Sequence, residues 1–204
     1  MWSAPIRLVA ITDRRRMVAP DVLARGDWNE IAREFAAAIS RISAPGVLVQ
    51  VREKDLDGGP LLVLVRAALA TGALVFVNDR LDVALAAGAH GVHLPERGLP
   101  VDAVRALLSA RAIANFAIGA SRHSVEGAHA AARAGADLVQ LGPIFETPDK
   151  GPPLGPAALA ATRSGLHAET RLVAVGGIDG EARTREVLRA GAHAIAAIRA
   201  VWAD

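Results

Sequence analysis

Ala87-Gly88-Ala89-His90-Gly91-Val92-His93-Leu94 carries a helix end, a turn and a strand in eight residues. Gly88 closes an alanine-rich helical stretch as a C-cap, and the apolar GVHL that follows reads as a short strand. The same junction recurs. Thr71-Gly72-Ala73 precedes LVFVN, Ala134-Gly135-Ala136-Asp137 precedes LVQLGP, and Ala190-Gly191-Ala192-His193 precedes AIAAIR. Such recurrence predicts iterated αβ units rather than domains joined by a linker, and no low-complexity tract interrupts it.

Working outward, the apolar runs predict strands at Arg7–Thr12, Gly46–Arg52, Leu74–Asn78, Gly91–Leu94, Ala117–Ser121, Leu138–Gly142, Arg171–Gly176 and Ala194–Arg199. Most are continuous runs of Val, Ile and Leu, as parallel strands covered on both faces require. Helices are predicted at Trp28–Ile42, Pro60–Ala70, Leu81–Ala87, Val101–Ala110, Val125–Ala134, Pro156–Arg163 and Glu181–Ala190. Eight βα units in 204 residues point to a single-domain (β/α)8 TIM barrel. The rival is a doubly wound open sheet, but no G-x-G-x-x-G follows the first strand. Only Ala200–Asp204 follow the last strand, so the last helix is expected to be truncated. The apolar patch this would leave is compatible with cover by a second subunit in a homodimer.

Composition removes whole classes. With no cysteine, disulfide scaffolds, thiolate metal sites and cysteine nucleophiles are excluded. No run approaches eighteen apolar residues, so no membrane span is expected. Met1–Thr12 is too short and too quickly charged for a signal peptide, and a cytoplasmic location is expected. Net charge is only +2, and the aromatics are three Trp and four Phe with no Tyr, so nucleic acid is not an expected partner. Arg14-Arg15-Arg16, the densest basic run, reads as a solvated loop.

Active sites of such barrels stand at the C-terminal ends of the strands. Strand two supplies Gln50, Arg52 and Lys54, whose alternation is expected to aim all three the same way. Buried cations imply either an anionic ligand or acidic partners such as Glu53 or Asp79. Lys54 and Lys150 are the only lysines among 23 basic residues. Strand three ends Asn78-Asp79-Arg80, strand four is followed by Glu96, and strand five ends Ser121-Arg122-His123. Gly176-Gly177 after strand seven, with Ile198-Arg199 at the end of strand eight, matches the common barrel phosphate site; the rival reading is a plain turn. The Glu146–Leu154 loop, with Thr147 and Lys150, has the length of a lid. His90, His129, His167 and His193 are expected to be structural or solvated. His93 and His123 stand at the productive end, with His123 the better acid–base candidate. No H-x-x-x-H or HExxH pair supports zinc.

From Leu8 to about Val201 the chain resembles the thiamine phosphate synthase/TenI superfamily. The stretches that carry the likeness are LVAITDR, VQVREKDL, VNDRLDVALAAGAHGVHL, IGASRHS, GADLVQLGPIFETPDK, VAVGGI and GAHAIAAI, in that order. The resemblance implies a (β/α)8 enzyme of thiamine biosynthesis that couples a hydroxymethylpyrimidine diphosphate to a thiazole phosphate, releasing pyrophosphate with Mg²⁺. Gln50, Arg52, Lys54, Asn78 and Lys150 would hold the pyrimidine diphosphate, and Asp79 would bind Mg²⁺. Ser121, Thr147, Gly177 and the backbone at Ile198-Arg199 would hold the thiazole phosphate. The sequence departs from the synthase pattern at three places. Gly98 stands where a second metal-binding aspartate is expected, leaving Glu96 as the substitute ligand of a weakened site. Asp149 replaces a threonine, and Arg199 a serine. The alternatives are a TenI-like thiazole tautomerase with His123 as its acid–base, or an inactive barrel that binds a phosphorylated ligand.

Overall fold

The computed structural model describes residues 5–148 and 150–202. Asp149 and the outer ends of the Met1–Thr12 and Ala200–Asp204 segments lie outside the described residues. The strands are β1 (Leu8–Ile11), β2 (Val47–Val51), β3 (Leu74–Asn78), β4 (Gly91–Leu94), β5 (Ala117–Arg122), β6 (Leu138–Leu141), β7 (Arg171–Val175) and β8 (Ala194–Ala197). They stand in chain order as a closed barrel, the (β/α)8 fold expected. The helices are α1 (Arg14–Met17), α2 (Pro20–Arg25), α3 (Trp28–Ile42), α4 (Gly58–Ala70), α5 (Leu81–Ala87), α6 (Val101–Ala110), α7 (Val125–Arg133), α8 (Pro156–Ser164) and α9 (Glu181–Arg189).

Residues 5–92 with 198–202 form one compact unit. Here β1 pairs parallel with β2, Leu8 opposite Val47, and β2 with β3, Leu48 opposite Leu74. Asp13 caps α1 by accepting from the Arg15 amide, and Asp27 caps α3 from Asn29. The buried face of α3 is Ile31, Phe35, Ala38 and Ile39, the spacing of one helical stripe. Among the described residues only a turn follows β8. Its Ile198 carbonyl accepts from the amides of Val201 and Trp202. Trp202 is buried, and its indole Nε1–H donates to the Ile11 carbonyl at 2.7 Å.

Residues 93–148 and 150–197 form the other unit. Strands β5 to β8 pair parallel in sequence, with Gly119 opposite Leu138, Leu138 opposite Arg171, and Val173 opposite Ala194. All four residues of β6 are buried, as the continuous apolar runs predict.

The glycine junctions form a repeated device in both units. Gly88, Gly135 and Gly191 all have positive φ, and the alanine after each returns its amide to a carbonyl five residues back: Ala89 to Ala84, Ala136 to Ala131, Ala192 to Val187. The next residue ties the turn to the preceding strand. His90 Nδ1 accepts from the Val75 amide, Asp137 Oδ2 from Ile118 and His193 Nδ1 from Leu172. Each also donates its own amide to the carbonyl of that same strand residue. The A-G-A-[His/Asp] repeat is therefore a structural clasp, and His90 and His193 are structural as expected. For His193, desolvation and then Arg163 and Arg171 hold the ring below the usual histidine range, favouring the neutral acceptor form. His129 binds the Thr162 carbonyl at 2.9 Å, and His167 is exposed.

Two expectations need correction. Strand β2 stops at Val51, so the alternation does not reach Arg52 and Lys54. Arg52 is half-buried, Glu53 buried and Lys54 exposed, because the chain turns to bring the Glu53 carboxylate inward. Nor is Arg14-Arg15-Arg16 a solvated loop. It lies in α1, and Arg14, 13% exposed, is ion-paired with Glu53 and Asp55.

Candidate functional site

The candidate residues fall into groups that each unit assembles separately, all at or just beyond the C-terminal ends of their strands.

In the first unit, Gln50 is buried at the end of β2 and donates from Nε2 to Asn78 Oδ1 at 3.1 Å, at the end of β3. The register of β2 on β3 makes this contact. Beyond Gln50 the chain is held by Glu53. The Glu53 carboxylate accepts from the Thr12 hydroxyl at 2.7 Å, the Arg14 amide at 3.1 Å and Arg14 Nη1 at 3.0 Å. Thr12 in turn accepts from the Arg52 amide at 2.9 Å. Burial pushes the Glu53 carboxyl up, while Thr12 and Arg14 oppose that shift. Arg14 also grips Asp55 with two bonds of 2.7 Å. These acids serve Arg14, not Arg52. No ion pair joins Arg52 to any described carboxylate, and burial pushes its guanidinium down despite Glu53 and Asp13. Lys54 follows, exposed, in the turn after Glu53.

Asp79 stands beyond β3 with φ of +66°, a left-handed backbone that aspartate tolerates better than most residues. The Arg80 amide donates to the Asn78 carbonyl across it, leaving the Asp79 side chain exposed. Among the described residues no three of His, Cys, Asp and Glu gather into a protein-only metal cage. A single exposed carboxylate instead fits Mg²⁺, a hard cation that takes one or two carboxylates and completes its shell with water and substrate phosphates. Ile198 is half-buried and Arg199 exposed in the turn after β8.

In the second unit, His93 is buried on β4 and its Nε2 lies 2.7 Å from Ser121 Oγ on β5. Gly119 makes room, since a Cβ there would stand 2.5 Å from His93 Nδ1. His93 thus orients Ser121 rather than facing solvent. His123 is 55% exposed, with Nδ1 on the Gly142 carbonyl and Nε2 3.6 Å from Glu96 Oε2. Glu96 therefore faces His123, and it also offsets the desolvation that pushes the Arg122 guanidinium down.

The β6–α8 loop packs on the Gly176-Gly177 turn. The Ile144 and Phe145 amides donate to the Val175 and Gly176 carbonyls at 2.9 and 3.1 Å. Gly176 has φ of +97° and Gly177 of +65°, and any Cβ would meet Pro143 Cα at 2.7 Å or the Glu146 carbonyl at 2.6 Å. Glycine is thus required at both positions. A Gly176 Cβ would also stand 3.2 Å from Thr147 Oγ1, so the Thr147 hydroxyl lies beside the turn. Lys150 is exposed farther along the loop, its amide on the Thr147 carbonyl.

Thr12 and Arg14 carried no role in the sequence, and Glu53, expected as an acidic partner of Arg52 or Lys54, pairs with Arg14 instead. Thr12 stood at a predicted strand end, but the inward turn of Glu53 had no sequence signal.

Comparison with known proteins places these features in context. A family model described as "Thiamine monophosphate synthase" matches residues 22–201. A protein of Geobacter sulfurreducens named putative thiamine-phosphate synthase is 44% identical over 180 residues, 84% of this chain and 81% of that protein. A thiamine-phosphate synthase of Methanoculleus marisnigri is 44% identical, over 80% of this chain and 78% of its own. Among solved structures, a thiamine phosphate pyrophosphorylase from Pyrococcus furiosus superposes with a TM-score of 0.73 at 28% identity, covering 98% of this chain and 89% of that one.

Proposed function

Since this chain belongs to the thiamine monophosphate synthase family, it is a transferase-type enzyme of thiamine biosynthesis, and we propose that it joins a hydroxymethylpyrimidine diphosphate to a thiazole phosphate. The thiazole ring nitrogen attacks the pyrimidine methylene. A C–N bond forms, the C–O bond to the diphosphate breaks, and pyrophosphate leaves with the electron pair. Catalysis then consists of neutralising the leaving group and aligning the nucleophile, without a general base.

The observation that carries this reading is Arg52, a half-buried cation without an ion-pair partner among the described residues, two positions beyond the Gln50–Asn78 hydrogen bond. A buried charge of this kind wants an anion, and the diphosphate supplies one. Gln50 and Asn78 then hold the pyrimidine, while Arg52, Lys54 and Lys150 take its phosphates. Asp79 holds Mg²⁺, which when bound adds positive charge at the diphosphate oxygens. Glu96 is the second candidate ligand, although its carboxylate faces His123. Ser121, Thr147, the Gly176 and Gly177 amides and the backbone at Ile198-Arg199 receive the thiazole phosphate. A cytoplasmic location suits this chemistry, and no described helix is long and apolar enough to cross a membrane. The tautomerase alternative is not favoured, as the relatives are named synthases; His123 has no step in the coupling.

The test is direct. Purified protein with both substrates and millimolar Mg²⁺ should release pyrophosphate, and Arg52→Gln should cut the release strongly. Release no faster than a protein-free blank removes the synthase reading.

A further inference from the structure

Arg183 sits in the first turn of α9, where a cation opposes the helix dipole and is least favoured. Its contacts explain what it does there. Nη1 donates to the Gly177 carbonyl at 2.7 Å and to Asp179 Oδ1 at 2.8 Å. The guanidinium also lies over the Phe145 ring, 4.9 Å from its centroid. Phe145 belongs to the β6–α8 loop that carries Thr147, and its amide already bonds the Gly176 carbonyl. One planar side chain therefore grips both segments of the phosphate cradle. Through the Gly177 carbonyl it fixes the peptide planes of the glycine turn, and through Phe145 it fixes the loop above.

We propose that Arg183 is a positioning residue that staples the β6–α8 loop to the β7–α9 turn, presetting the Gly177 backbone and Thr147 for the thiazole phosphate. This rests on the functional reading above, which places that phosphate at the glycine turn. Only arginine meets both requirements at once. Lysine can donate to the Gly177 carbonyl, but it has no planar face to lay on Phe145.

The experiment compares wild type, Arg183→Lys and Arg183→Ala in steady-state pyrophosphate release, with thermal unfolding as a check on folding. The alanine variant is expected to raise the KM for thiazole phosphate by about five- to tenfold, less than the full worth of a charge-assisted hydrogen bond because Arg183 acts through the turn and the loop. The KM for pyrimidine diphosphate and kcat should stay within about twofold. The lysine variant should fall between the two. Amide hydrogen exchange, measured without ligand, should speed up at Phe145 in the alanine variant. Equal rises in both KM values, an unchanged thiazole KM, or unchanged exchange at Phe145 overturns the staple. If wild type releases no pyrophosphate, the functional reading fails instead, and exchange at Phe145 alone decides the role of Arg183.

Discussion

Replacing Glu53 by glutamine should destabilise the protein far more than an isosteric change at a surface would. Glu53 is 6% exposed, and its carboxylate accepts three hydrogen bonds. Oε1 serves the Thr12 hydroxyl and the Arg14 amide, and Oε2 serves Arg14 Nη1. Thr12 cannot turn away, because its oxygen also accepts from the Arg52 amide. A glutamine amide must therefore point NH₂ at a donor, either Arg14 Nη1 or the pair on Oε1. One charged hydrogen bond is lost outright and the others lose their charge assistance, at roughly 1.5–3 kcal/mol for a bond to a charged group. Arg14 keeps its two bonds to Asp55, so it is not stranded, which holds the total near ~3 kcal/mol. In a chain of this size each kcal/mol shifts Tm by about 2–4 °C, giving a fall of about 6–12 °C. Thermal unfolding followed by circular dichroism measures it, with urea melts to confirm an unchanged m-value. A Tm within about 2 °C of wild type would refute the claim that Glu53 anchors the end of β2. Because Thr12 holds the Arg52 amide, the variant should also bind pyrimidine diphosphate more weakly.

Two further outcomes follow from the same geometry. The Arg14 guanidinium holds the Asp55 carboxyl down to about 2, below the ordinary 3.8. The stabilisation from this pair is thus complete above the ordinary value and lost as pH falls through about 2, and an NMR titration of the Asp55 carboxyl carbon should find its midpoint there; a midpoint near the ordinary value contradicts the pairing. Gly177→Ala should raise the KM for thiazole phosphate at least about tenfold, the loss of one amide–phosphate bond. The left-handed backbone adds a stability cost of about 1–2 kcal/mol, and an alanine variant with wild-type KM and Tm would show that the turn is not the phosphate cradle.

The repeated A-G-A-[His/Asp] junctions and the eight apolar runs were legible as a (β/α)8 chain because both are local. A C-cap needs only a glycine at the right position, and a doubly covered strand needs only consecutive apolar residues. Three helices, α3, α5 and α6, keep their predicted bounds for the same reason. The short helices α1 and α2 were not legible, since Arg14–Met17 has no apolar period and is pinned by acids about forty residues away. The candidate site divides the same way. Gln50, Asn78, Thr147 and the paired glycines could be named from their places at or after strand ends, because barrel chemistry gathers there. What those residues do to one another could not. Whether Glu53 faces inward, which acid takes Arg14, whether His93 orients Ser121 and which ring Arg183 lies over are all decided by partners distant in sequence. Local pattern specifies an element and its face; only the packed tertiary structure selects which donor meets which acceptor, because burial makes each unmatched polar group costly.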